Sequence, residues 1–237
     1  MEINVEIALF ALFSGITISI GGFLSYLFEN HVKESPFKKE IIHTSIAFGG
    51  GIILSAVALV LVPKGMETLE LLPLSIAFAL GAVSFYFIDR YIHQKGGKMG
   101  MLLAMLMDFI PESIALGALF MADQKQAMLL AIFIGLQNLP EAFNSFRELV
   151  ISGYKVKTTH IIFAFLSLSG VVGALAGHFL LQNSPQITAL IMVYASGGII
   201  YLLFQDIAPE STMKKIYLPP LGATAGFLVG MIGEKVI

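Results

Sequence analysis

Apolar stretches of about 20 residues recur along the whole chain, broken only by short polar connections. A bilayer's hydrocarbon core is about 30 Å thick, and a helix rising about 1.5 Å per residue crosses it in about 20 residues. Backbone polar groups in lipid must find partners within the chain, which leaves only helices and closed barrels as spanning structures. Runs this long, without strict alternation, read as helices. The spacing predicts eight of them, over residues 6–28, 41–63, 73–94, 99–122, 126–149, 158–181, 186–208 and 217–234. Composition agrees, because 57% hydrophobic residues, 13% charged residues and a mean hydropathy of +0.85 exceed what a soluble core absorbs. The expected fold is an all-α integral membrane protein forming a single transmembrane domain over residues 1–237.

No Lys or Arg precedes the first apolar run, which reads as a first span rather than a cleaved signal peptide. Cysteine is absent, so disulfides and thiolate ligands are excluded. The net charge of −2 gives no reason to expect a nucleic-acid partner; the lipid bilayer is the expected surrounding. The placement of the charges is more telling. Of 14 Lys and Arg residues, eleven (Lys33, Lys38, Lys39, Arg90, Lys95, Lys98, Arg147, Lys155, Lys157, Lys214 and Lys215) fall in or beside the loops after spans 1, 3, 5 and 7. Lys64, Lys125 and Lys235 fall on the other face. Positively charged loops stay in the cytoplasm, so the expectation is a multi-pass protein of the cell membrane with both termini outside.

Two pentapeptides stand out against this background. Asp108-Phe-Ile-Pro111-Glu112 and Gln137-Asn138-Leu-Pro140-Glu141 each place a proline and a carboxylate in the middle of an apolar span. An acidic residue at the bilayer centre costs roughly 2.5 to 3.5 kcal/mol on insertion scales, so an intramembrane glutamate points to function. The turn over residues 121–126 is short, making spans 4 and 5 antiparallel neighbours. Counting helical rise from that turn puts the two prolines at depths within roughly 5 Å of each other. Asp108 and Glu112, like Gln137 and Glu141, are four residues apart and share a helical face. Each proline also frees the carbonyl four residues earlier, those of Met107 and Leu136. Carboxylates, amide oxygens and freed carbonyls together suit a divalent cation, with Asn144 and Ser145 extending the path. A structural kink beside a protonated or interfacial glutamate is the alternative for either motif alone.

There are traces of internal repetition. Gly50-Gly51-Ile52-Ile53 in span 2, running down to Pro63, is similar to Gly197-Gly198-Ile199-Ile200 in span 7, running down to Pro209. In the expected topology these spans point in opposite directions, as an inverted repeat would leave them. The same residues also suit close helix packing, and both readings stay open.

These motifs, with Ala47-Phe-Gly-Gly-Gly51 in span 2 and Tyr194-Ala-Ser-Gly-Gly198 leading to Gln205-Asp206-Ile-Ala-Pro209-Glu210 in span 7, resemble the ZIP (Zrt/Irt-like) family of divalent metal transporters. The resemblance covers nearly the whole chain. It implies a three-plus-two-plus-three helix arrangement, with spans 1–3 and 6–8 as inverted repeats, often dimeric. It also implies movement of Mn²⁺, Fe²⁺ or Zn²⁺, and Cd²⁺ among similar ions, toward the cytoplasm, the ion being cargo and no cofactor being required. On this resemblance the metal ligands fall on Glu112, Glu141 and Gln137, joined by Asp108 and Asn138 where the family usually carries histidine or, at the second, histidine or aspartate. Phe109 replaces an asparagine, Gly170 replaces an acidic residue of some members, and the long histidine-rich loop is reduced to Lys95-Gly-Gly-Lys98. Losing imidazole in favour of oxygen ligands shifts a site toward harder ions and lowers discrimination for Zn²⁺.

Asp89, Asp206 and Glu210, near the lysine-rich ends of spans 3 and 7, are candidates for an exit path, though Asp89 beside Arg90 also reads as an interfacial ion pair. His43 and His178 read as packing or interfacial histidines rather than ligands. A membrane enzyme is disfavoured, since Ser113 beside Glu112 lacks a histidine nearby in sequence. A receptor or assembly protein that binds metal without transporting it is the other alternative.

Overall fold

The computed structural model describes residues 3–94, 100–181, 183–214 and 216–236, with backbone alone at 93, 100–102 and 104. Lys95, Lys98 and Lys215, which entered the charge sorting, lie outside the described residues. The described residues form helices and no strands. Their long rods are α1 (Ile3–His31), α2 (Pro36–Thr68), α3 (Leu71–Gln94), α4 (Gly100–Ala122), α5 (Gln124–Ile151), α6 (Val156–Leu181), α7 (Pro185–Ser211) and α8 (Leu218–Val236). Six of them, α1 to α4, α6 and α7, contain stretches long and apolar enough to cross a membrane, which makes this an all-α, multi-pass membrane protein. Of the other two, α5 carries polar residues along its length, and α8 opens on Pro219-Pro220 and closes on Glu234-Lys235.

Local chemistry explains the rod boundaries. The Ser35 side chain accepts a hydrogen bond from the Lys38 amide at 3.1 Å while Pro36 opens α2, a pre-set start for a helix. Asp123 alone separates α4 from α5, and its carboxylate accepts from the Gln126 amide at 3.2 Å. Gly153, at φ 95°, turns the chain after α5, a conformation that costs glycine little. Within α2 and α7 the chain widens into a π-helical turn, Val57–Leu61 and Leu203–Ile207, each ending two residues before a proline, Pro63 and Pro209. Proline lacks an amide hydrogen and crowds the preceding turn, and a π turn is one way a helix accommodates that disruption.

The rods pack as two groups. One contains α1, α4, α5 and α6; the other is built on two close pairs, α2 with α8 and α3 with α7. In the first pair Gly51 lies on the Ala223 carbonyl and Gly226 on the Phe48 carbonyl. In the second, Gly197 lies on the Phe78 carbonyl and Gly81 on the Tyr194 carbonyl. None of the four positions has room for a Cβ. The two sets correspond: the step from Phe48 to Gly51 matches that from Tyr194 to Gly197, and the step from Ala223 to Gly226 matches that from Phe78 to Gly81. The correspondence pairs Gly51 with Gly197, whereas the sequence similarity aligns Gly50 with Gly197. The register shifts by one because only one glycine of each doublet meets a carbonyl; Gly50 faces Leu203 and Ile207 instead, and Gly198 faces Phe85.

At the lysine-rich end, Lys38 is almost fully buried and its Nζ donates to Glu29 at 2.7 Å and Glu34 at 2.8 Å. Arg147 donates to Glu29 at 2.9 Å and Glu148 at 2.8 Å, linking the end of α1 to α5. The hydrogen bond from Lys38 holds the Glu34 carboxyl below the ordinary carboxylate range.

A buried carboxylate and amide centre

The two proline motifs face one another across α4 and α5, and both helices continue through Pro111 and Pro140. The Gln137 amide donates to both oxygens of Glu112, at 2.9 and 2.7 Å, and both residues are wholly buried. Asp108, 3% exposed, sits one turn away and accepts a hydrogen bond from the Phe109 amide at 2.8 Å. Glu141 lies within electrostatic reach of Asp108, Glu112, Glu210 and Asp206. Several buried oxygens here have no hydrogen-bond partner: Gln137 Oε1, Asn138 Oδ1, Glu141 Oε2 and Ser113 Oγ. Buried polar atoms are ordinarily satisfied, so the unpartnered Gln137 Oε1 and Glu141 Oε2 on the α5 motif suit an ion or another ligand.

The five sequence candidates do not converge equally. Glu112 and Gln137 are in direct contact, and Glu141 joins them electrostatically. Asn138 is buried but turns its amide toward α1, donating to the Ser14 carbonyl at 3.2 Å. Among the described residues no group of three or more His, Cys, Asp or Glu is placed to hold a metal ion, so amide oxygens would have to complete any coordination shell. Gly173 on α6 packs against Ser113 and the Ile110 carbonyl, and Gly21 on α1 packs against the Leu139 carbonyl and Ala142. These are equivalent neighbours of the two proline motifs, so α6 supports the α4 motif as α1 supports the α5 motif.

Toward the lysine-rich end the centre connects to further polar groups. Asn144 donates to Glu210 Oε1 at 2.7 Å, and His43 Nδ1 lies 2.6 Å from the Glu210 backbone oxygen. Asp89 is buried and accepts from the Tyr201 hydroxyl at 2.8 Å, while Arg90 donates to Tyr86 at 3.0 Å. Tyr201 in turn lies within the field of Asp206. Of the sequence candidates here, Asp89 and Glu210 are each tied to a neighbouring rod, and His43 is too, its contact to the Glu210 backbone joining α2 to α7 as a packing residue would. His178 is buried and its Nδ1 has no hydrogen-bond partner.

The fold and this centre thus define a multi-pass helical membrane protein with carboxylates and amides buried among its spans. The chain matches no protein-family model, and no curated protein matches it.

Proposed function

We propose that the protein is a divalent cation transporter, and that Mn²⁺, Fe²⁺ or Zn²⁺, with Cd²⁺ as a further candidate, passes through the centre toward the cytoplasm. The carrying observation is the cluster of buried carboxylate and unpartnered amide oxygens at Glu112, Gln137 and Glu141. Such groups are too costly in a membrane to be retained without use. A half-turn of the Gln137 amide would replace its donating nitrogen by Oε1 beside Glu112, exchanging a self-satisfied pair for a cation site. The absence of imidazole from this set favours hard or borderline ions.

On this reading all eight rods span the membrane, with α1–α3 and α6–α8 as inverted repeats around α4 and α5. The reading draws support from the matched glycine contacts of α2–α8 and α3–α7 and from the paired π turns before Pro63 and Pro209. The charge bias then puts the lysine-rich end in the cytoplasm and both termini outside. Because α4 and α5 pack with α1 and α6, these four rods move as one body against the other four during alternating access. The resemblance to the ZIP family is in keeping with this assignment.

Uptake into proteoliposomes tests it, using Mn²⁺, Fe²⁺, Zn²⁺, Cd²⁺ and Mg²⁺ with the parent chain, Glu112→Gln and Glu141→Gln. Saturable uptake should fall at least roughly 100-fold in each variant, about 2.7 kcal/mol of lost stabilisation. Selectivity for Zn²⁺ over Mn²⁺ should stay below about 100-fold and rise in Asp108→His. Inserted, folded protein that binds metal but moves none would replace the transporter reading with that of a receptor.

A further inference from the structure

The second residue of each proline motif turns from the centre to a supporting rod, Asn138 to α1 and Phe109 to α6, and the two arrive in opposite ways. Asn138 donates to the Ser14 carbonyl at 3.2 Å and keeps a buried oxygen, Oδ1, without a partner. Phe109, 1% exposed, instead lays the tip of its ring on Gly170. A Cβ at Gly170 would collide with that ring and stand 3.2 Å from Ser113 Oγ, so ring and hydroxyl share the space that glycine leaves. Ser113 follows Glu112 directly and is wholly buried. Its Oγ is the one side-chain oxygen of α4 and α6 that is buried without a partner among the described residues. Phe109 and Ser113 are four residues apart on one face of α4, adjoining the face of Asp108 and Glu112. Three such oxygens belong to the α5 motif, at Gln137, Asn138 and Glu141, so unpartnered oxygens gather on the α5 side while hydrocarbon fills the α6 side.

We propose that Phe109, seated on Gly170, is a specificity-determining residue of the centre: its ring fills the α6 side and limits the site to one divalent cation, held toward α5. The inference rests on reading the centre as a cation site. Hard divalent ions gather about six oxygen ligands, and a second ion beside the first would need oxygens of its own. On the α6 side the ring takes the room for them and leaves a single hydroxyl, that of Ser113. Glycine at position 170 is what admits the ring, because any side chain there would meet it. The two residues therefore act as one fitted unit, and neither can be exchanged alone for a ligand-bearing residue without disturbing the other.

Equilibrium dialysis of the purified, folded chain against Mn²⁺ counts the bound ions, and electron paramagnetic resonance of that Mn²⁺ reports whether they are neighbours. The parent should bind one Mn²⁺ per chain and show the resolved hyperfine lines of an isolated ion. Phe109→Ala/Gly170→Asp exchanges the ring for a carboxylate beside Ser113 Oγ; it should bind two, with lines broadened by coupling between adjacent ions. Phe109→Asn, which gives α4 the residue that α5 carries at the same step and keeps Gly170, should take up a second Mn²⁺ more weakly. Gly170→Ala alone should lower the melting temperature, and Phe109→Leu/Gly170→Ala should recover most of that loss. Two Mn²⁺ per parent chain would overturn the proposal, a result that needs no variant to fold. So would a folded variant of either kind that still binds one. One ion in the parent and two in the double variant, with no uptake by either, would sustain the proposal while removing the transport reading.

Discussion

The two glutamates of the centre begin identical steps along their helices and meet opposite surroundings. Three and four residues after Glu141 on α5 stand Asn144 and Ser145, followed by Glu148, while Asn144 reaches Glu210. At the same steps after Glu112 on α4 stand Ala115 and Leu116, followed by Leu119 and Phe120, all buried in the apolar core with Ile7 of α1 and Ile134 of α5. Because α4 and α5 run antiparallel, these steps lead toward opposite ends of the molecule. One half therefore presents a succession of oxygens beyond its motif, and the other surrounds its motif with close-packed hydrocarbon. Two equivalent motifs are thus given different surroundings by the next turns of helix: apolar toward the lysine-poor end and polar toward the lysine-rich one.

Making α5 resemble α4 is the strongest way to break that difference. Asn144→Leu removes the donor to Glu210 and leaves a buried carboxylate oxygen without it; transport should fall at least about tenfold, with metal binding at the centre retained. Equilibrium binding measured beside uptake separates the two, and unchanged uptake would show that the polar half is not a path. A smaller effect is expected from the helix pairs, where the halves are alike. Gly51→Ala and Gly197→Ala each force a methyl group against a carbonyl and should cost about 1–3 kcal/mol, read as loss of thermal stability in detergent. Similar losses sharpen the equivalence; a large loss in one alone breaks it. The smallest effect concerns the lysine-rich rim. The Glu34 carboxyl is held below its ordinary range by Lys38, so its contact with Lys38 stabilises the fold above that range and is lost as pH falls through the folded-state value. Glu34→Gln should lower the melting temperature slightly at neutral pH, and the gap from the parent should close in acid.

The helices were legible in the sequence because the bilayer dictates them: length and apolarity leave little freedom for six of the eight, whereas α5 and α8 form helices close to the expected bounds without being apolar enough to count as spans on that ground. The residues of the two proline motifs marked the centre, since a carboxylate is seldom kept in hydrocarbon without a task. What periodicity does not convey is which neighbour a helical face meets. Asn138 shares the α5 motif but turns to the Ser14 carbonyl, a contact set by how α1 crosses α5. Lys38 was counted with the loop charges, yet Glu29, nine residues earlier, and Glu34 enclose it with Phe28. His43 meets Glu210 across 167 positions of sequence, and only the packing of α2 on α7 brings them together.

The π turns at Val57–Leu61 and Leu203–Ile207 carry an implication for how such a chain tolerates change. A π turn holds one residue more than the α-helical turn it interrupts, so removing that residue restores regular winding while leaving the far end of the rod on nearly the same side. A one-residue deletion in Val57–Leu61 would thus keep α2 long enough to cross a bilayer, keep Gly51 on Ala223 and leave Pro63 and Lys64 facing much as before. Each widened turn works as a slack point, where a residue can be gained or lost without re-aiming what lies beyond it.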